Sequence, residues 1–165
     1  MTANRQCVPA PRDLGLTGLV AGVVLVLDQL TKAWIVSALT PLSPPRLDLL
    51  GKWLSLEYTE NRGVAFGLLS GLGPLVVVAP LVVVAILAAL YLRTDSPSVW
   101  QSIGIGLLTG GAAGNLADRL RLGFVVDFVS VGRWPNFNVA DSAITVGAVI
   151  LVAGWMMADG ARADG

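Results

Sequence analysis

Asp127 and Asp141 are the residues of this chain best suited to do chemistry together. Asp127 sits in FVVDFV, with apolar neighbours on both sides. Desolvation in such a setting favours the protonated carboxyl. Asp141 sits in FNVADSAITVG, where an apolar helical pattern begins, as an N-cap or first-turn residue. The positive end of a helix dipole favours negative charge there. Two carboxyls whose surroundings push them apart can act on one water molecule as acid and base. One activates the water and the other protonates or polarises a carbonyl, with Asp141 the expected base. The chemistry would be hydrolysis of a bond at a membrane surface. A plainer alternative stays open at this point: Asp141 only caps a helix and Asp127 only meets an arginine.

Other chemistries are excluded or weak. The chain has no histidine, which removes Ser-His-Asp and Cys-His catalysis and the usual zinc sites. Its one cysteine, Cys7, cannot form an internal disulfide or a cysteine cluster. A Ser/Lys dyad would need Ser142 with Lys32 or Lys52, but a serine at a helix start is more often a cap. No metal or cofactor is expected. Formal net charge is zero, and no basic block points to nucleic acid.

Both aspartates must be positioned by an unusually apolar chain. It has 165 residues, 55% hydrophobic and 13% charged, and a soluble domain carries about twice that charge fraction. A helix needs about 20 residues to cross the hydrocarbon core. The apolar runs predict four such helices, at about 14–39, 72–92, 99–117 and 141–158. The first is read as a retained helix that also directs insertion, since it lacks a small-residue cleavage site. Pro41, Pro44 and Pro45 end it. Segment 40–71 follows, in which KWLSLEYTEN partly alternates, so short interfacial strands anchored by Trp53 and Tyr58 are expected. Asn61 and Gly63 read as a turn. Residues 118–140 are expected to form an active-site loop, with FVVDFVSV extended. Residues 1–13 and 159–165 read as tails, the first disordered. The fold class is therefore an all-α polytopic membrane protein in one domain, 14–158. Four transmembrane helices are expected, with a small interfacial β segment between the first two.

Polar groups at membrane depth mark functional sites by default. Asp28 and Lys32 interrupt the first helix four residues apart, on one face, with the acid N-terminal to the base. They are either a neutralised pair facing lipid or a support for the site. Asn115, Asp118 and Arg119 end a Gly/Ala-rich helix whose small residues permit close packing. Asn136 and Asn138 precede Asp141. A transporter or proton channel using Asp28, Lys32, Asp118 and Asp127 as relay groups is the rival reading, and a structural membrane scaffold is another. Counted naively, the basic residues put the termini outside.

Five motifs in order carry a resemblance: DQLTK at 28–32, NRGVAF at 61–66, GGAAGNLADR at 110–119, VVDF at 125–128 and FNVADS at 137–142. From about Leu16 to Met157 the chain resembles the bacterial lipoprotein signal peptidases, or signal peptidase II. The resemblance implies an aspartyl endopeptidase of the bacterial cell membrane. Such an enzyme removes the signal peptide of a diacylglyceryl-modified prolipoprotein, before the lipidated cysteine. It implies Asp127 and Asp141 as the catalytic dyad. Asn61 and Arg119 match positions that hold the substrate backbone. Asn115, Asp118 and Asn138 match residues lining or bracing the pocket, and Asp28 and Lys32 match a supporting pair. It also implies cytoplasmic termini and a dyad near the outer face, opposite to the charge count.

Overall fold

The computed structural model describes residues 13–51, 53–62, 73–94 and 97–163. Among these residues, four helices and three strands follow one another: α1 Leu14–Leu39, β1 Arg46–Asp48, β2 Leu54–Asn61, α2 Gly73–Arg93, α3 Val99–Leu122, β3 Val125–Val131 and α4 Val139–Ala163. The disordered tail expected at 1–13 lies outside the described residues except for Asp13. That residue is the N-cap of α1, its carboxylate accepting from Leu16 N at 2.8 Å.

α1 is built inside out. Its buried residues are Val24, Asp28, Lys32, Ile35 and Leu39, spaced as one helical face. Leu19, Val23, Val26, Leu27, Leu30 and Trp34 are exposed. Charges turned inward and leucines turned outward suit a lipid surrounding. α1 and Val139–Met157 of α4 are, among the described residues, long and apolar enough to cross a membrane.

α3 is the central helix, with α1 on one side and α4 on the other. Its glycines permit this. A Cβ on Gly114 would lie 2.5 Å from Asp28 Oδ2, and one on Gly111 would lie 2.5 Å from the backbone oxygen of Ala140. Either methyl would push a neighbouring helix away, so the small-residue run is a packing device. One apolar cluster, Tyr91, Ile105, Leu108 and Leu151, joins α2, α3 and α4. A second, Ile35, Leu39, Val126 and Phe128, fastens the end of α1 to the sheet.

The sheet is antiparallel in the order β1-β2-β3. Arg46 pairs with Glu57, and Thr59 with Asp127, with an irregularity between Leu56 and Thr59. A strand expected in segment 40–71 is present as β2. The third strand comes from 118–140, so the β structure is not confined to the segment between the first two helices.

Three boundaries differ from expectation. Residues 118–140 are not one loop: α3 continues to Leu122 because LADRLRL is made of good helix formers, and it stops at Gly123, which takes φ 81°. β3 and a turn with Asn136 bonded to Thr59 account for the rest. α4 begins at Val139 and runs to Ala163, so most of the expected tail 159–165 is helical. Asn61 is the last residue of β2 instead of a turn residue, and Gly63 lies outside the described residues.

Candidate active site

The site forms where the end of α1, the end of α3, β3 and the start of α4 meet. Asp127 is the third residue of β3 and is buried with its neighbours Val125, Val126 and Phe128. Strand pairing with β2 brings Asn61 alongside, and Asn61 Nδ2 donates to Asp127 Oδ2 at 2.8 Å. Asn138 Nδ2 donates to Asp127 Oδ1 at 2.7 Å. Burial pushes the Asp127 carboxyl up to about 6. The Asn61 and Asn138 donors and the Lys32 charge oppose that rise, and the negative charge of Asp141 adds to it.

Asp141 lies in the first turn of α4, partly exposed. Asn138, just before the helix, accepts from Asp141 N with its side-chain oxygen at 2.9 Å. Asp141 Oδ2 accepts from Asn138 N at 3.2 Å. This reciprocal pair is a capping box made with aspartate. Asn138 therefore touches both carboxyls, one through its side-chain amide and one through its backbone. It is fully buried. The remaining oxygen, Asp141 Oδ1, accepts from Asn115 Nδ2 at 2.8 Å.

Behind these residues lies a buried ion cluster. Lys32 Nζ is 2.8 Å from Asp28 Oδ2 and 2.9 Å from Asp118 Oδ2. It also donates to Asn115 Oδ1 at 3.1 Å. Asp28 Oδ1 accepts from Ala140 N at 3.0 Å, and Asp118 Oδ2 accepts from Val126 N at 3.1 Å. The cluster thus grips the chain just before each catalytic candidate. The pair expected between Asp28 and Lys32 is present, but Asp118 completes it as a third member. Burying two acids around one ammonium is costly unless every oxygen is satisfied, and no buried side-chain polar atom among the described residues lacks a partner.

Gln29 was not singled out in the sequence. Its Nε2 donates to Asp118 Oδ1 at 3.0 Å, and its Oε1 accepts from Arg121. Its place beside Asp28 in an apolar run was the signal available. Arg119 stands apart from the carboxyls: its guanidinium reaches the backbone oxygen of Asn115 at 3.3 Å and pairs with neither Asp127 nor Asp141 among the described residues. It lines a cleft of about 290 Å³ with Asn61, Arg62, Leu116 and Phe124. Arg62 lies over the Phe124 ring, 5.5 Å from its centre. Asn61 lines the cleft and bonds Asp127, so it links the cleft to that carboxyl. Among the described residues, no three Asp, Glu, Cys or His side chains form a set that could hold a metal ion.

The family model described as Signal peptidase (SPase) II matches residues 20–157, which include every residue of this site. The chain belongs to the signal peptidase II family. The peptidase is 39% identical over 142 residues to a lipoprotein signal peptidase of Syntrophomonas wolfei, covering 86% of this chain and 93% of the relative. It is 43% identical over 157 residues to one of Rhodococcus jostii, covering 92% and 77%. Two solved structures described as bacterial membrane enzymes share its fold. One has a TM-score of 0.73 at 27% identity, covering 90% of this chain and 92% of that one. The other has a TM-score of 0.72 at 28% identity, covering 87% and 94%. With two helices apolar enough to span among the described residues, these likenesses make the peptidase a membrane protein.

Proposed function

We propose that the chain is an intramembrane aspartyl endopeptidase. It removes the signal peptide of diacylglyceryl-modified prolipoproteins, cutting before the lipidated cysteine, and needs no cofactor. The single observation that carries the mechanism is the bridging of two carboxyls by Asn138, one of which burial raises to about 6. Asp141 takes a proton from water as the water oxygen bonds the scissile carbonyl carbon. Asp127 gives its proton to the carbonyl oxygen. When the resulting gem-diol collapses, Asp127 recovers the hydroxyl proton, the C–N bond breaks, and Asp141 passes its proton to the departing amine. The two protons are shared by the pair, so the pH dependence belongs to both residues together.

The cleft beside Asn61 supports a route for the substrate. Its apolar wall suits acyl or signal-peptide side chains, and Asn61 and Arg119 offer donors to the peptide backbone. Asn115, Asn138, Asp118, Asp28 and Lys32 brace the dyad. In this reading all four helices span the bacterial inner membrane, the termini are cytoplasmic, and the sheet rests at the outer face. A lipidated substrate stays in the bilayer, so its cleavage site arrives at that depth. The relay alternative needs acids at successive depths. Asp28, Lys32 and Asp118 instead close on one another, which favours a bracing role.

The test is cleavage of a purified diacylglyceryl-modified prolipoprotein in detergent by wild type, D127N and D141N. Cleavage before the modified cysteine, lost in both folded variants, is expected. Survival of activity in either variant would remove the dyad; absence of cleavage by folded wild type would remove the substrate.

A further inference from the structure

Lys32 is buried and, among the described residues, bonds neither Asp127 nor Asp141, yet it is linked to Asp141 through Asn115. An ammonium has three hydrogens to donate and no acceptor. All three are committed: to Asp28 Oδ2, to Asp118 Oδ2 and to Asn115 Oδ1. The last of these has a consequence for the amide beyond it. With Asn115 Oδ1 held by the ammonium, Asn115 Nδ2 is left to face Asp141 Oδ1, at 2.8 Å. Turned the other way, the amide would set its NH2 against an ammonium and its oxygen against a carboxylate.

Asn138 also donates to Asn115 Oδ1, but not with an undivided hydrogen. Its Nδ2 has two hydrogens and three acceptors within reach: Asp127 Oδ1 at 2.7 Å, Asn115 Oδ1 at 3.1 Å and Val126 O at 3.3 Å. The shortest of these goes to the dyad, so its hold on Asn115 is shared. Lys32 is the committed donor, and its charge polarises the Asn115 amide in the sense that strengthens donation to Asp141.

We propose that Lys32 is a positioning residue for the dyad, acting through Asn115: the buried ammonium sets the orientation of one amide, and that amide holds the Asp141 carboxylate. The proposal rests on the dyad reading above. It assigns the α1 ion cluster a part in turnover, beyond holding helices together.

K32M, N115A and K32M/N115A test this with the full-length enzyme in detergent, on the same lipidated substrate. Because Lys32 and Asn115 form one chain of bonds, all three variants should lose the same factor in kcat. That factor should be about tenfold or more, as for a hydrogen bond to a charged group. KM should change less than about twofold. A purely structural lysine would instead lower the folded fraction and leave kcat per folded molecule unchanged. If K32M does not fold, K32M/D118N is compared with D118N, since the double variant keeps the formal charge of the wild-type cluster. Wild-type kcat in the folded lysine variant, or losses in kcat that multiply in K32M/N115A, would overturn the proposal. D127N and D141N run beside these. Cleavage by either removes the dyad itself, whereas full activity of the lysine variant beside two inactive aspartate variants removes only the role of Lys32.

Discussion

Asn61→Ala offers a quantitative test of how the dyad is tuned. Burial raises the Asp127 carboxyl to about 6, and the Asn61 hydrogen bond is the largest effect opposing that rise. The bond is short, 2.8 Å to Oδ2, and it stabilises the ionised form. Removing it must therefore raise the carboxyl further. A hydrogen bond to a charged group contributes about 1.5–3 kcal/mol, a partly buried one such as this at the lower end, and 1.36 kcal/mol corresponds to one pH unit. If Asp127 works as the acid, wild-type kcat/KM falls as pH rises through about 6, because the free enzyme then loses the proton it must give. In N61A that alkaline limb should move upward by about one pH unit. The assay is the initial rate of cleavage of a lipidated prolipoprotein in detergent, measured across the limb at substrate concentrations well below KM. Asn61 also borders the cleft, so the height of the profile can fall; only its position is diagnostic. A limb that stays in place, or moves downward, would refute the tuning argument.

The same carboxyl predicts how stability depends on pH. A solvated aspartate loses its proton near 3.8, whereas folded Asp127 keeps it to about 6. Between those values the unfolded chain binds fewer protons than the folded one, so stability contributed by the protonated form is lost as pH rises through the window and changes no further above it. The loss is at most about 3 kcal/mol, and thermal unfolding of wild type and D127N in detergent checks it, since D127N should lack this component. Gly111→Ala should lower both stability and turnover, because its methyl would meet the rigid backbone oxygen of Ala140 and displace the start of α4, which carries Asp141. Overpacking of this kind costs about 1–3 kcal/mol, and unfolding together with kcat measures it.

The two carboxyls proposed to react were each marked along the chain. Asp127 among apolar residues and Asp141 at a helix start each carry a local signal, and the structure brings both to Asn138. The positions of four helices and of β2 were legible for the same reason. Apolar length, alternation and proline breaks act over a few residues and need no partner. The end of α3 was missed because a run containing Asp118, Arg119 and Arg121 looks like a loop if polarity is taken to end a membrane helix. Its helix formers continue to Gly123, and only there does a left-handed residue stop it.

What tertiary structure decided is the pairing of distant groups. Asp28 and Lys32 are neighbours on one helix, so their contact follows from helical spacing. That Asp118 joins them depends on how closely α3 approaches α1, which the absence of a side chain at Gly114 permits. The pairing of β3 with β2 sets Asn61 against Asp127, and the turn into α4 sets Asn138 between the two carboxyls. Arg119 illustrates the converse: four residues before Gly123, it lines the cleft and, among the described residues, bonds neither Asp127 nor Asp141. A sequence specifies residue types and local periods directly. Which hydrogen-bond donor meets which acceptor is fixed only when packing of the helices brings atoms within about 3 Å of each other, and in this protein that packing is what turns two aspartates into a pair.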